Sequence, residues 1–115
     1  MTSVKIKRIY EEADPDDGYR VLIDRLWPRG VKKEEAKVEY WAKQIAPSRQ
    51  LREWFDHDPE KFDAFSRKYH QELLQNSFLA EFMHKISQHP TVTLLFGAKD
   101  EQHNQAISLK KFLEN

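Results

Sequence analysis

The chain has 115 residues, no cysteine, and nineteen residues of each charge sign. That length suits one domain of about 100–150 residues with a core of its own, so residues 1–115 are read as a single unit. The missing cysteine excludes disulfides, thiolate nucleophiles and cysteine-based metal centres and fits a cytoplasmic protein. No apolar stretch approaches the roughly 20 residues of a membrane span, and the start of the chain lacks the apolar core of a signal peptide. The cancelled charge speaks against nucleic acid, whose binders tend to be strongly basic.

Val4–Tyr10 begins with apolar/polar alternation and predicts a strand. It ends at an acidic turn, Glu11 to Gly18, with Pro15, Gly18 and three aspartates. Tyr19–Asp24 predicts a second strand, and its run Val21-Leu22-Ile23 suggests burial on both faces, as in a parallel sheet. The short connection between these strands is awkward, because a parallel crossover usually takes a dozen residues or more. Lys33–Ile45 fits either a helix, through Val38, Trp41 and Ile45, or a strand, through Val38, Tyr40 and Ala42. Ser48 suits the N-cap of a short helix carrying Leu51, Trp54 and Phe55 on its inner face. Asp58-Pro59 opens the next helix, with the stripe Phe62, Phe65, Tyr69 and Leu73. Ser77 caps another, with Phe78, Leu79, Phe82, Met83 and Ile86 facing inward. Thr91–Phe96 predicts the last strand, and Asp100 the N-cap of a final helix packing through Ala106, Ile107, Leu109 and Leu113. Together these elements make a small layered α/β fold with a short, mostly parallel sheet flanked by helices.

Two stretches carry candidate chemistry. Asp24-Arg25-Leu26-Trp27-Pro28-Arg29-Gly30-Val31-Lys32 follows the second strand, where an open α/β sheet keeps its ligand site. Arginine offers a planar fork to carboxylate or phosphate. Gly97 to Asn104 leads from the last strand into a helix, with backbone amides, Lys99, Asp100, His103 and Asn104 close together. The alternative reading of each is bland: solvated loop arginines in the first, ordinary capping in the second. Arg52 and His57 meet this site only if their helix lies across it. The five histidines show no metal-ligand spacing, and no phosphate loop, dinucleotide fingerprint or nucleophile elbow is present.

Tyr19-Arg20-Val21-Leu22-Ile23-Asp24-Arg25-Leu26-Trp27-Pro28-Arg29-Gly30 closely resembles the signature of the bacterial YeaO-like proteins, in the DUF488 group of domains of unknown function. The resemblance continues through Trp41, Ala46-Pro47-Ser48, Leu51-Arg52, Trp54-Phe55, His57-Asp58-Pro59, Phe62, Tyr69, Val92–Leu95, Lys99-Asp100 and His103-Asn104, covering nearly the whole chain. It implies a compact α/β domain and polar positions at Arg25, Arg29, Ser48, Arg52, Lys99, Asp100, His103 and Asn104. It also draws Val38–Lys43 toward an extended conformation. Longer relatives in the wider group often carry cysteines where this chain has Phe96 and Asn104, so a thiol-dependent role does not transfer.

The leading expectation is a cleft for a small phosphate- or carboxylate-bearing molecule, without cofactor or metal. Arg25, Arg29, Arg52 and Lys99 supply charge; Trp27 or Trp41 walls the pocket; Ser48, Asp100 and Asn104 contribute polar contacts. If the site is catalytic, His103 is the candidate proton donor or acceptor of a metal-free transferase or hydrolase. A nucleic-acid-binding module and a protein-interaction or regulatory domain are the alternatives, and the chain is compatible with a monomer or a homodimer.

Overall fold

The computed structural model describes residues 2–114. In chain order the elements are β1 (Ser3–Arg8), β2 (Tyr19–Leu22), α1 (Lys33–Ala36), β3 (Tyr40–Trp41), α2 (Arg49–Phe55), α3 (Phe62–Leu74), α4 (Leu79–Ser87), β4 (Thr91–Phe96) and α5 (Gln105–Glu114). The four strands form one parallel sheet in the order β1-β4-β2-β3. Leu94 pairs with Ile6 on one side and with Val21 on the other, so β4 is the centre of the sheet. This order removes the difficulty of the short crossover. β1 and β2 are not neighbours; the segment between them steps over β4 with a single 3-10 turn at Pro15–Asp17.

The alternation of each strand sorts side chains onto two different faces. Val4, Ile6, Tyr19, Val21, Val92, Leu94 and Phe96 meet the helices. There they pack with Phe55 of α2, Phe65, Tyr69 and Leu73 of α3, Phe82 and Ile86 of α4, and Ala106 and Leu109 of α5. The opposite face has no long helix. Leu22 and Leu95 are covered by Ile9, Ala36, Trp27, Val31, Val38 and Trp41, all from connecting segments or short elements. A polar clamp holds this coat in place. Buried Asp17, in the β1–β2 connection, takes Lys7 at 2.9 Å and the Arg20 guanidinium. Thr93 Oγ1 donates to the Asp17 carbonyl at 2.7 Å, and Arg20 Nη2 donates to the Ala36 carbonyl at 2.7 Å. Gly18 closes the connection with φ 65°, and a Cβ there would strike the Thr91 carbonyl, so the position requires glycine.

The ambiguous stretch resolves as one helical turn (α1), a short strand and a 3-10 turn at Lys43–Ile45. Tyr40 faces the helices and Trp41 the opposite coat, which is the alternation of a strand.

Four details differ from the sequence expectation. The α5 cap is Asn104, whose Oδ1 accepts from Ile107 N at 3.0 Å; Asp100 caps the turn before it. Ahead of α4, Asn76 Oδ1 accepts from Phe78 N at 2.8 Å, in place of the expected Ser77. Phe78 and Met83 are exposed; of that face Phe82 and Ile86 are buried and Leu79 packs partly against the core. Trp54 is also exposed; its ring lies under Lys61 Nζ at 5.2 Å and Lys68 Nζ at 5.1 Å, which covers an aromatic face without burying it. Among the described residues no helix is long and apolar enough to cross a membrane.

Candidate functional site

Parallel strands end on the same side of the sheet. Asp24 follows β2 there, and Gly97-Ala98 follow β4. Between them opens a crevice of about 210 Å³. Its far wall is α2 with the turn before it, so the short helix does lie across the mouth. Asp24, Arg25, Pro47, Arg52, His57, His103 and Gln105 supply its polar and backbone lining, and Leu26, Phe55, Phe65 and Ala98 its apolar lining.

The two arginines converge. Arg25 Nη2 donates to the Ala46 carbonyl at 3.2 Å and to the Pro47 carbonyl at 3.4 Å; Arg52 Nε donates to the same Pro47 carbonyl at 3.3 Å. Among the described residues neither forms an ion pair with a carboxylate. Each guanidinium has five N–H donors, so most of this hydrogen-bonding capacity is not used by protein groups.

Among the described residues Asp24 is the single acid lining the crevice. Its Oδ2 accepts from Gly97 N at 2.9 Å, its Oδ1 accepts from Gln105 Nε2, and its carbonyl accepts from Trp41 Nε1 at 2.7 Å. Burial pushes its carboxyl up to about 6, against the opposing pull of Gly97 N–H, Gln105 and the Arg52 charge. On the opposite lip His103 Nδ1 lies 2.9 Å from Asp100 Oδ2. The Gln102 N–H, then the His103 ring and N–H, hold the Asp100 carboxyl below the ordinary carboxylate range. The Phe62 ring meets the imidazole edge-on at 5.4 Å. With Nδ1 committed to Asp100, Nε2 is the ring nitrogen left for another partner.

The structure thus brings Arg25, Arg52, His103 and Asn104 to one crevice, although Asn104 spends both ends of its amide on the backbone of Asp100 and Ile107. Asp100 acts one step back, on His103. Five expected residues lie elsewhere. Trp27 and Trp41 pack against each other, rings 5.4 Å apart, in the coat of the opposite sheet face, and Trp27 Nε1 donates to the Val31 carbonyl at 2.8 Å. They shape the loop and do not wall the crevice. Arg29 is exposed, and its carbonyl accepts from Tyr10 Oη at 2.8 Å. Lys99 is exposed and does not line the crevice. Ser48 caps α2 and donates to Glu72 Oε2 at 2.6 Å.

Asp24, Gln105 and His57 complete the site. Asp24 could be found in the sequence as the first polar residue after a buried apolar run. His57 has φ 56°, directly after Asp56 at φ 46°. Two successive left-handed residues other than glycine are uncommon and mark a backbone held in place by its surroundings. Among the described residues no group of three or more His, Asp or Glu is placed to hold a metal.

A parallel α/β domain with a basic crevice at the carboxyl ends of its strands is the class that fold and site define. The chain belongs to the DUF488 family: the model described as "Inactive DUF488-N3 subclade" matches residues 3–115. It is 42% identical over 112 residues to uncharacterised proteins of Mycobacterium tuberculosis and Mycobacterium bovis, covering 97% of this chain and 94% of each relative. It is 36% identical over 113 residues to the uncharacterised protein YeaO of Escherichia coli, covering 98% of both chains. No solved structure matches the chain.

Proposed function

We propose that the crevice binds a small phosphate- or carboxylate-bearing molecule and that the protein is a binding module for it. The observation that carries this reading is the convergence of Arg25 and Arg52 on one carbonyl, with neither in an ion pair among the described residues. Such a pair gains by taking up an external oxyanion, since charge-assisted guanidinium contacts are the strong ones. The Gly97-Ala98 turn and the apolar lining limit solvent around the bound charge. At about 210 Å³ the crevice is smaller than the roughly 300–1,000 Å³ of drug-sized sites. That size suits a metabolite fragment and not a polymer.

Binding is favoured over turnover on two grounds. Among the described residues the crevice lining contains no hydroxyl, thiol or amine side chain, and its carboxylate, Asp24, has both oxygens held by the Gly97 N–H and the Gln105 amide. The subclade is also described as inactive. His103, oriented by Asp100, then serves as a further contact to the anion. Nucleic acid is disfavoured because Trp27 of the basic loop packs edge-on against Trp41 in the coat of the opposite sheet face and offers no platform for bases beside the two arginines.

The test is a titration with inorganic phosphate and with a small dicarboxylate, followed by backbone amide NMR shifts. Saturable shifts at Gly97, Ala98 and Asp24 are expected. They disappear in the Arg25→Ala/Arg52→Ala double variant, whose melting temperature stays near that of the parent, and persist in Arg29→Ala. Absence of saturable shifts with both anions overturns the reading.

A further inference from the structure

A crevice built only to attract negative charge would not carry an ionisable carboxylate in its lining. This one does. Asp24 shares the crevice with Arg25 on its own segment, Arg52 and His57 from α2 and the turn after it, His103 from the turn before α5, and the uncharged Gln105 of α5. Its two oxygens are held by the Gly97 N–H and the Gln105 amide, so the carboxylate is fixed in place. Each oxygen keeps a second lone pair. A fully ionised oxyanion would bring lone pairs against lone pairs there. An oxyanion that still carries an O–H can give its proton to Asp24 while its charged oxygens face the two guanidiniums.

We propose that Asp24 is the specificity-determining residue of this crevice, selecting small oxyanions that bring their own O–H donor, with hydrogen phosphate the simplest, and rejecting those that bring none. The inference rests on the anion-binding reading above and adds to it the class of anion. Its physical basis is that a buried acceptor set against another acceptor loses the hydrogen bond and adds repulsion, a penalty corresponding to about ten- to hundredfold in affinity. The raised carboxyl of Asp24 follows from the same burial and supplies a way to switch the selection off: once protonated, Asp24 becomes a donor and accepts any oxyanion.

Hydrogen phosphate and sulfate are matched probes, similar in size and shape, one with a proton and one without. Calorimetric titration of the full chain at about pH 8, where hydrogen phosphate retains one proton, is expected to give at least tenfold tighter binding of phosphate than of sulfate. Asp24→Asn, which can donate, is expected to bring sulfate within about threefold of phosphate. Should that variant fail to fold, the wild type alone decides: at the same pH methyl phosphate, a dianion with no O–H left, is expected to bind at least tenfold more weakly than hydrogen phosphate. At one pH any charge on His57 and His103 acts on all these dianions alike and leaves their ratio unmoved. Equal binding of the two anions by the wild type at pH 8 overturns the selection by Asp24 while leaving the anion site standing. Binding of neither, in wild type or variant, overturns the anion site itself and the selection with it.

Discussion

Asp24 Oδ2 accepts a hydrogen bond from Gly97 N at 2.9 Å, joining the end of β2 to the end of β4 across 73 positions of sequence. This bond is the hinge pin of the crevice, because the two segments it joins carry Arg25 on one side and lead to His103 on the other. The contact is also tight. A Cβ on residue 97 would stand 2.8 Å from Asp24 Oδ2 and 3.4 Å from Pro28 Cβ. Gly97→Ala must therefore push Asp24 away from the amide that holds it. A stability loss of about 1–3 kcal/mol is expected, with weaker anion binding, measured by urea unfolding and phosphate titration on the same variant. A substitution without effect on either would show that the two strand ends are not tied through this contact.

The raised carboxyl of Asp24 predicts a stability profile of definite sign. Its folded value of about 6 lies above the ordinary 3.8. A raised acid stabilises the fold fully below its unfolded value, and that contribution is lost as pH rises through 6. Asp24→Asn removes the cost of ionisation, and its amide can still accept from Gly97 if the Gln105 amide turns over. The variant is expected to exceed the wild type in stability by roughly 1–3 kcal/mol above pH 7, with the gap closing below about pH 4. Urea unfolding across that range reads the difference; parallel curves would show that Asp24 ionises at no cost.

Asp17 has the opposite sign. Burial pushes its carboxyl up, but the Lys7 ammonium, a backbone N–H and the Arg20 guanidinium outweigh it and hold it below the ordinary range. Its contribution is thus present above the unfolded value and lost as pH falls through the lower folded one. Asp17→Asn leaves Arg20, itself buried, without a counter-charge, and is expected to cost about 3–5 kcal/mol at neutral pH. The deficit shrinks in acid, as pH falls below the ordinary 3.8 and through the lower folded value. The same variant also tests the coat of the second sheet face, since Thr93 and Arg20 both anchor to this connection. A deficit constant across pH would assign the loss to the coat and not to the charge.

The strands and the rim they share were readable because burial writes itself into local runs. Leu94-Leu95-Phe96 and Val21-Leu22-Ile23 are apolar without interruption, as a parallel strand buried on both faces requires. Strand order was not readable, because nothing in β1 or β2 records that β4 will come between them. The site was half readable. Arg25 and His103 follow strand ends, where position alone points to a crevice. Trp27 and Trp41 misled because an aromatic beside arginines looks the same whether it stacks on a ligand or on another aromatic; the pairing is tertiary. Asp24 reads as the polar end of its strand and the start of the basic loop; its pairing with Gly97 and Gln105 is tertiary as well.

Ser48 separates structure from binding most cleanly. The resemblance places it among the polar positions of the family, and a serine beside two arginines invites a role in holding an anion. In the fold its Oγ accepts from Leu51 N at 3.1 Å, capping α2, and donates to Glu72 Oε2 at 2.6 Å, while its own N–H donates to Glu72 Oε1 at 2.9 Å. Ser48 thereby ties the start of α2 to α3 and fixes the helix that carries Arg52. Ser48→Ala loses the cap and one of two bonds to Glu72, and about 1–2 kcal/mol of stability is expected to go with them. Because the backbone bond to Glu72 survives, α2 stays seated, and phosphate affinity is expected to change by less than about threefold, under 1 kcal/mol. A tenfold loss of affinity at unchanged stability would instead put the hydroxyl on the ligand and move the site toward α3.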